Sequence, residues 1–461
     1  MTEQYDSIVI GTGQSGPSLA VGLAGAGRKT AIVERTLFGG TCVNTGCIPT
    51  KTLIASARVA HLARRAADFG VAIDGTVRVD MARVKARKDE VVRRSSESVE
   101  RWLKSTPNLT VYQGHAHLEG PHVVRVGDAL LAAGEIFLNV GARAHVPGIP
   151  GLDQVDYLTN STMMELGSLP EHLLVIGGGS VGLEFAQMYR RFGAEVTIVE
   201  MGPRLIGRED EDVSAAVREI LEGEGIRIRL DAKCVGVARR ETGVAVSLEC
   251  REQPHEIEAS HLLLAVGRQP NTNDLGLDKA QVKTDARGYV MVDDELRTSM
   301  PGIWALGDVN GRGAFTHTSY NDFEVVAANL LGGQRRVITD RIPAHALFID
   351  PPLGRAGMTE REVSATGRPA LVARMPMTRV GRATHKSETQ GFMKVLADAA
   401  THKILGAALL GIECDEVIHS ILDVMYAGAP YTILERAMHI HPTVSEFIPT
   451  MLGRMEPLRR S

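Results

Sequence analysis

One design occurs twice in this chain, 166 residues apart. In the first copy an apolar run, DSIVIGTGQSG, leads into Gly11, Gly13 and Gly16, and a second run, TAIVE, ends at Glu34. The second copy reads LLVIGGGSVG, with Gly177, Gly179 and Gly182, followed by VTIVE ending at Glu200. Every glycine and both acids are displaced by the same 166 residues. One such glycine pattern says little. Two, each after a strand and each with an acid at the same distance, predict two strand–turn–helix units. In such units the backbone approaches a pyrophosphate at a helix N-terminus and the acid accepts from a ribose. Two glycine-rich turns of an ordinary α/β protein are the plainer alternative. The expected fold class is α/β with two Rossmann-like dinucleotide-binding domains.

Between the copies lies GGTCVNTGCIPTKTL, Gly39 to Leu53. Cys42 and Cys47 have four residues between them, and Lys51 follows Cys47 by four, which places the two on one face of any helix starting here. A helix N-terminus favours thiolate over thiol. Two neighbouring thiols of this kind suit a redox couple better than a structural staple. A zinc half-site and two unrelated core cysteines remain open, although no second cysteine pair or Cys/His cluster follows at zinc-finger spacing.

Composition narrows the class. At 461 residues, with 44% hydrophobic and 23% charged residues, the chain has the make-up of a soluble protein of about three domains. A net charge of −4 argues against a broad nucleic-acid or anionic-membrane surface. The basic run ARVKARKDEVVRR, Ala82 to Arg94, reads as the solvated face of a long helix. No apolar run reaches membrane-spanning length, and the first strand begins too early to leave room for a signal peptide. Five cysteines fit a reducing cytoplasm with one functional pair, Cys234, Cys250 and Cys414 serving as packing residues.

With these motifs the chain resembles the class I pyridine nucleotide–disulfide oxidoreductases, the family of dihydrolipoamide dehydrogenases and of glutathione, mycothione and mercuric reductases. The resemblance runs on through LLLAVGRQPNT (Leu262 to Thr272), MPGIWALGDVNG (Met300 to Gly311), GRAGMTE (Gly354 to Glu360) and HIHPTVSE (His439 to Glu446). It implies an FAD domain over residues 1–148 and 267–340, an inserted NAD(P) domain over 149–266, and a C-terminal α+β dimerisation domain over 341–461. The segment GARAHVPGIPG from Gly141, rich in glycine and proline, reads independently as a crossover linker.

The resemblance also implies site residues. The first fingerprint (Gly11, Gly13, Gly16, Glu34) holds FAD, with Thr41, Lys51, Gly267 and Asp308 as further contacts. The second (Gly177, Gly179, Gly182, Glu200) holds the nicotinamide nucleotide. Cys42 and Cys47 form the redox-active disulfide, with Cys47 the thiolate beside the flavin and Cys42 the thiol that meets substrate. Lys51 pairs with Glu184. His441 and Glu446 form the acid–base pair, suited to exchange because a group titrating near neutrality can move the thiol proton. His439 is expected to be structural, and His317 a flavin-pocket backbone position. The implied homodimer shares its active sites across the interface.

Glu200 favours NADH over NADPH, because a carboxylate there suits a free 2′-hydroxyl; the nearby Arg204 softens that preference. Where some relatives carry an aromatic gate, this chain has Ser180. The acceptor stays open between a small disulfide and a metal ion such as Hg(II), with dihydrolipoamide a further candidate. After Cys414 there is no cysteine pair of the kind that a full mercuric reductase uses to deliver its ion. Two other classes are weighed against this reading: a thiol-independent transhydrogenase or oxidase, and a non-catalytic flavin redox sensor.

Overall fold

The computed structural model describes residues 1–250 and 255–459. Each fingerprint opens a parallel sheet. In the first, strand Thr2–Ile10 lies between Thr30–Glu34 and Ala129–Leu138, both parallel to it, and Leu109–Gln113 extends the sheet beyond Thr30–Glu34. Strand Ile303–Ala305, more than 160 residues downstream, adds in parallel to the end of Ala129–Leu138. The other half of Ala129–Leu138 carries the antiparallel strands Val123–Val126 and Ala116–Gly120. In the second unit four parallel strands run in the order Arg227–Arg229, Glu195–Val199, His172–Ile176, His261–Leu264. A three-stranded antiparallel sheet (Ala232–Arg240, Gly243–Cys250, His255–Ala259) covers one side of it. The strands are near-continuous apolar runs because helices and loops bury both faces.

The chain crosses between the two parallel sheets twice, and the crossings are zipped together. Ala142–Ala144, inside the predicted linker, pairs antiparallel with Arg268–Pro270.

From residue 344 the chain builds a six-stranded antiparallel sheet ordered Ala344–Leu347, Leu353–Gly357, Ile404–Leu410, Phe392–Asp398, Ala370–Pro376, Glu456–Pro457. Period-two alternation divides its faces. Met393, Val395, Ala397, Ala407 and Leu409 point to the Cys414–Tyr426 and Phe447–Leu452 helices. Ala408, Leu410 and Leu353 join instead the core that contains Leu173, Leu183 and Val213 of the second parallel unit and Leu53 of the thiol segment. The basic run lies on the 24-residue helix Met81–Lys104 as expected, except that Lys88 is buried and donates to Met164 O. Cys414 is buried and Cys234 half-buried, both unpaired thiols; the Cys250 side chain lies outside the described residues.

Two polar junctions dock the C-terminal sheet. Lys394, on the face opposite Met393 and Val395, is 1% exposed and donates to Asp210 Oδ2 (2.9 Å), Asp212 Oδ1 (2.7 Å) and Glu360 Oε2 (3.2 Å). Asp210 in turn accepts from the amides of Glu360 and Arg361. Burial pushes the Asp210 carboxyl up, but these amides and the Lys394 ammonium more than offset it, so its pKa falls below the usual value. The second junction is Asp350, which accepts from Arg58 Nη1 at 2.6 Å and from Arg191. Its main-chain N and O are both held by Gln187. Removing one partner of a buried ion pair leaves uncompensated charge at a cost of about 3–5 kcal/mol. Lys394→Met should therefore destabilise the protein by about 3 kcal/mol, seen as a lower urea midpoint, whereas Lys386→Met, at the exposed pair with Glu413, should change it by less than about 1 kcal/mol.

Candidate active site

The 18-residue helix Cys47–Arg64 begins at Cys47 itself. Pro49 loses nothing there, since first-turn amides have no intrahelical acceptor. Cys42 sits in the preceding helical turn, Gly40–Asn44, together with Thr41. The second unit steadies this loop, as Asn160 Nδ2 donates to Thr45 O at 3.0 Å. Both cysteines are free thiols, Cys42 half-buried and Cys47 more exposed.

Their electrostatics are unequal. The Cys47 thiol is pushed down to about 6, first by the hydrogen bond from Cys42, then by Thr316 and Lys51, against partial burial and the Glu184 charge. Cys42 is pushed strongly upward by its hydrogen bond to Cys47 and by burial. The shared hydrogen bond and the Lys51 charge thus favour the thiolate on Cys47 and the proton on Cys42. Thr316, first residue of the Thr316–Gly332 helix, brings its Oγ1 to 3.2 Å from Cys47 Sγ.

One turn beyond Cys47, Lys51 Nζ donates to Glu184 Oε2 at 2.8 Å. The carboxylate lies on the helix Ser180–Phe192 of the second unit and is nearly buried. Its other oxygen accepts from Phe348 N at 3.0 Å, and the Phe348 ring lies under the Lys51 ammonium, 4.4 Å from Nζ to the centroid. The thiol helix, the second nucleotide turn and the C-terminal segment therefore converge on one ion pair.

The two glycine turns keep their correspondence in three dimensions. Glu34 accepts from the amides of Thr12 (3.0 Å) and Thr36 (2.9 Å) and from the Thr12 hydroxyl. Glu200 accepts from the amides of Gly178 (2.6 Å) and Gly202 (2.7 Å), again 166 residues on. Gly11 and Gly177 both have positive φ, with a strand-end carbonyl (Asn139, Ala265) where a side chain would go. Gly16 and Gly182 press on the carbonyls of Gly11 and Gly177. The third pair differs. A Cβ on Gly13 would lie 2.8 Å from Asn139 Oδ1, whereas one on Gly179 would meet no protein atom within 4 Å. The fold itself demands no glycine at 179, so the open space there fits a ligand's backbone approach.

Asp308, in the turn Gly307–Asn310, has its carboxyl pushed up by burial against the pull of Arg268, whose Nε lies 3.2 Å from Oδ2. That Nε is buried and makes no hydrogen bond. A half-buried ion pair with one buried guanidinium nitrogen left without a hydrogen bond fits a polar cofactor chain. Gly267, before Arg268, has φ +114° and open space around it.

His441 Nδ1 bonds Glu446 Oε2 at 2.8 Å, while its ring is 79% exposed. Among the described residues it makes no hydrogen bond to either thiol. Met438 and Ile440, close to it in the chain, are exposed, as are Ile433 and Tyr426. His439 bonds Ser445 O at 2.6 Å, and His317 Nε2 bonds Ala344 O at 2.8 Å through its side chain, where only a backbone position was expected. Sequence reasoning missed Thr316 and Phe348: their signal is contact with Cys47 and Lys51 from 269 and 297 positions away, which no local pattern carries. No group of three or more His, Cys, Asp or Glu among the described residues is placed to hold a metal ion, and no helix among them is long and apolar enough to cross a membrane.

Known proteins share this arrangement. Residues 5–322 match the family model described as pyridine nucleotide-disulphide oxidoreductase, and residues 343–452 match that family's dimerisation domain. The probable pyridine nucleotide-disulfide oxidoreductase RclA of Escherichia coli is 37% identical over 96% of this chain and 97% of its own length. The mercuric reductase of Streptomyces lividans is 34% identical over 96% and 94%, and the dihydrolipoyl dehydrogenase of Thermus scotoductus 34% over 96% and 95%. A solved structure described as the HOCl-induced flavoprotein disulfide reductase RclA from Escherichia coli superposes with TM-score 0.89 at 34% identity, covering 98% of this chain and all of its own. The chain belongs to the pyridine nucleotide-disulphide oxidoreductase family and carries both its nucleotide-binding region and its dimerisation domain.

Proposed function

We propose that this protein is a homodimeric, FAD-dependent oxidoreductase that uses NAD(P)H, preferably NADH, to reduce a small disulfide through Cys42 and Cys47. The carrying observation is the setting of Cys47, at the start of a helix, 3.2 Å from Thr316 Oγ1 and one turn from the Lys51–Glu184 pair, together with a hydrogen-bonded His–Glu pair on the same chain facing outward. In this reading residues 1–148 with 267–340 hold FAD, 149–266 hold the nicotinamide nucleotide, and 341–461 form the dimer. The exposed apolar side chains of the C-terminal domain, Met438 and Ile440 next to His441 in the chain and also Tyr426 and Ile433, are ones a second copy would cover. The unpaired Cys234 and Cys414 suit a reducing cytoplasm.

Bound FAD supplies the two-electron step between the nicotinamide and the thiol pair. The chain's own residues do the rest. Glu34 and Glu200, each fixed by two backbone amides, receive riboses, and the fixed carboxylate of Glu200 repels a 2′-phosphate. Arg204 is engaged with Gly207 O rather than with Glu200. Cys42 must lose its proton to attack a disulfide, and His441 of the partner subunit takes it: with Nδ1 given to Glu446, Nε2 is the free acceptor. The Cys42 thiolate then forms a mixed disulfide, and the first substrate thiol leaves with the proton from that imidazole. Attack by the Cys47 thiolate on Cys42 Sγ closes the Cys42–Cys47 disulfide and releases the second substrate sulfur as a thiolate, which takes its proton from solvent. Lys51, neutralised by Glu184, lowers the Cys47 pKa from one helical turn away.

A metal ion as acceptor is the second reading. It is favoured by a relative named mercuric reductase and by a solved relative described as a Cu(II) complex of RclA. Oxidation of NADH and NADPH with a disulfide panel including lipoamide, beside Cu(II) and Hg(II), separates the two. Turnover with a disulfide that is lost in Cys42→Ser supports the first reading; turnover with metal ions alone replaces it by the second.

The thiols should titrate apart. Because the Cys47 pKa is lowered, its thiolate is present above about pH 6 and lost as the pH falls through that value. The long-wavelength thiolate–flavin absorbance of the reduced protein should follow that curve, vanish in Cys47→Ser and persist in Cys42→Ser. Equal behaviour of the two variants would refute the assignment. Gly179→Ala should leave thermal stability and FAD content unchanged while weakening NADH binding about tenfold or more, since the added methyl has room in the protein but not beside a bound pyrophosphate. Unchanged NADH affinity would show that the second turn is not the nucleotide site.

A further inference from the structure

The loop after Glu200 closes on the second glycine turn and then leaves its own unit. Ile206 N donates to Gly178 O at 2.8 Å, and Ser214 Oγ donates to Leu205 O at 2.6 Å. Three residues beyond Ile206, Glu209 is 7% exposed and faces the C-terminal sheet. Its Oε2 lies 3.1 Å from Nε of Arg355, itself 3% exposed, but without hydrogen-bond geometry. Its Oε1 is bonded by His345 Nε2 at 3.1 Å. Among the described residues, His345 is thus the one hydrogen-bond donor to the carboxylate that ends this loop.

The other face of His345 serves the thiols. Its ring stacks on Phe315, with centroids 5.4 Å apart and planes 7° from parallel. Phe315 also stacks with His317, at 5.4 Å and 13°. His317 in turn bonds the carbonyl of Ala344, the neighbour of His345. The segment 315–317 is therefore fastened to 344–345 reciprocally, by a ring stack and by a hydrogen bond. Phe315 is the residue from which the Thr316–Gly332 helix starts, and its exposed side chain has both imidazoles stacked with it. The next residue is Thr316, 3.2 Å from Cys47 Sγ.

We propose that His345 is a positioning residue that joins the nicotinamide-nucleotide turn to the Cys47 thiolate. Its Nε2 anchors Glu209, and with it the loop over Gly178. Its ring seats Phe315, and with it the Thr316 hydroxyl against Cys47. The inference rests on the reading of Gly177–Gly182 as the nucleotide turn.

The two contacts separate by substitution in the full-length holoprotein. His345→Phe keeps a ring to stack on Phe315 but cannot bond Glu209. His345→Gln keeps a donor for Glu209 but removes the ring. NAD+ affinity is read by equilibrium dialysis. The Cys47 pKa is read from the pH dependence of alkylation by iodoacetamide in a Cys42→Ser background. The Phe variant should bind NAD+ about fivefold more weakly with the thiolate pKa unchanged. The Gln variant should raise the thiolate pKa by about one unit with NAD+ affinity unchanged. If neither readout moves, or if both move together in both variants alongside a lowered melting temperature, His345 is a packing residue and the proposal falls. Should either variant be too unstable to purify, Glu209→Met, which removes the acceptor at nearly constant volume, replaces the Phe variant; an unaltered NAD+ affinity there overturns the proposal equally. Failure of the parent protein to bind NAD+ at all would instead remove the nucleotide reading.

Discussion

A single carboxylate, Asp350, holds three stretches of chain in register. Arg58 reaches it from the helix that starts at Cys47, and Arg191 from the helix that starts at the second glycine turn. Asp350 itself leads into the strand Leu353–Gly357 of the C-terminal sheet. Glu388 and Glu224 take the remaining donors of the two guanidiniums, and Gln187 bridges Glu224 to the Asp350 main chain. Burial pushes the Asp350 carboxyl up, yet Arg191 and Arg58 outweigh it and the net shift is downward. A buried acid held ionised between two cations tolerates little displacement, since any sliding of one helix would leave charge unpaired. That lock ties the helix carrying Cys47 and Lys51 to the helix carrying Glu184.

The same logic recurs at smaller scale. Asp210 with Lys394 and Glu209 with Arg355 and His345 fasten the second unit to the C-terminal sheet at adjacent residues. Apolar contacts would also dock the two, but ion pairs with fixed geometry dock them in one register. Catalytic placement across three chain segments needs that kind of selectivity more than it needs extra stability.

Much of this was legible in the sequence where the chemistry is local. The glycines, Glu34 and Glu200 follow a fixed spacing because a strand, a tight turn and a helix leave little freedom. Cys47 and Lys51 are one helical turn apart, and His441 and Glu446 are five residues apart. Lys394 was not legible. In GFMKVLAD it alternates with apolar residues and reads as the solvent side of a strand; whether that side meets water or another unit depends on how the units dock. Thr316 and His345 are hidden for the same reason, since each acts on a residue brought near by the fold. The basic run from Ala82 read correctly as a solvated helix face, yet Lys88 within it is buried, because one position of that face turns towards Met164.

The two glycine turns, alike in spacing and in their acids, differ at the third pair. Gly13 is crowded by Asn139, a side chain that also bonds Gly16 N and the carbonyl of Leu306. Gly179 has no such neighbour. The first turn is thus soldered into the core of its unit, and a lineage that altered it would lose the fold along with the ligand. The second is packed in the same way at Gly177 and Gly182 but is open at Gly179. A change at Gly179 therefore leaves the packing beneath it undisturbed, whereas a change at the matching Gly13 is also a change to the core of its unit.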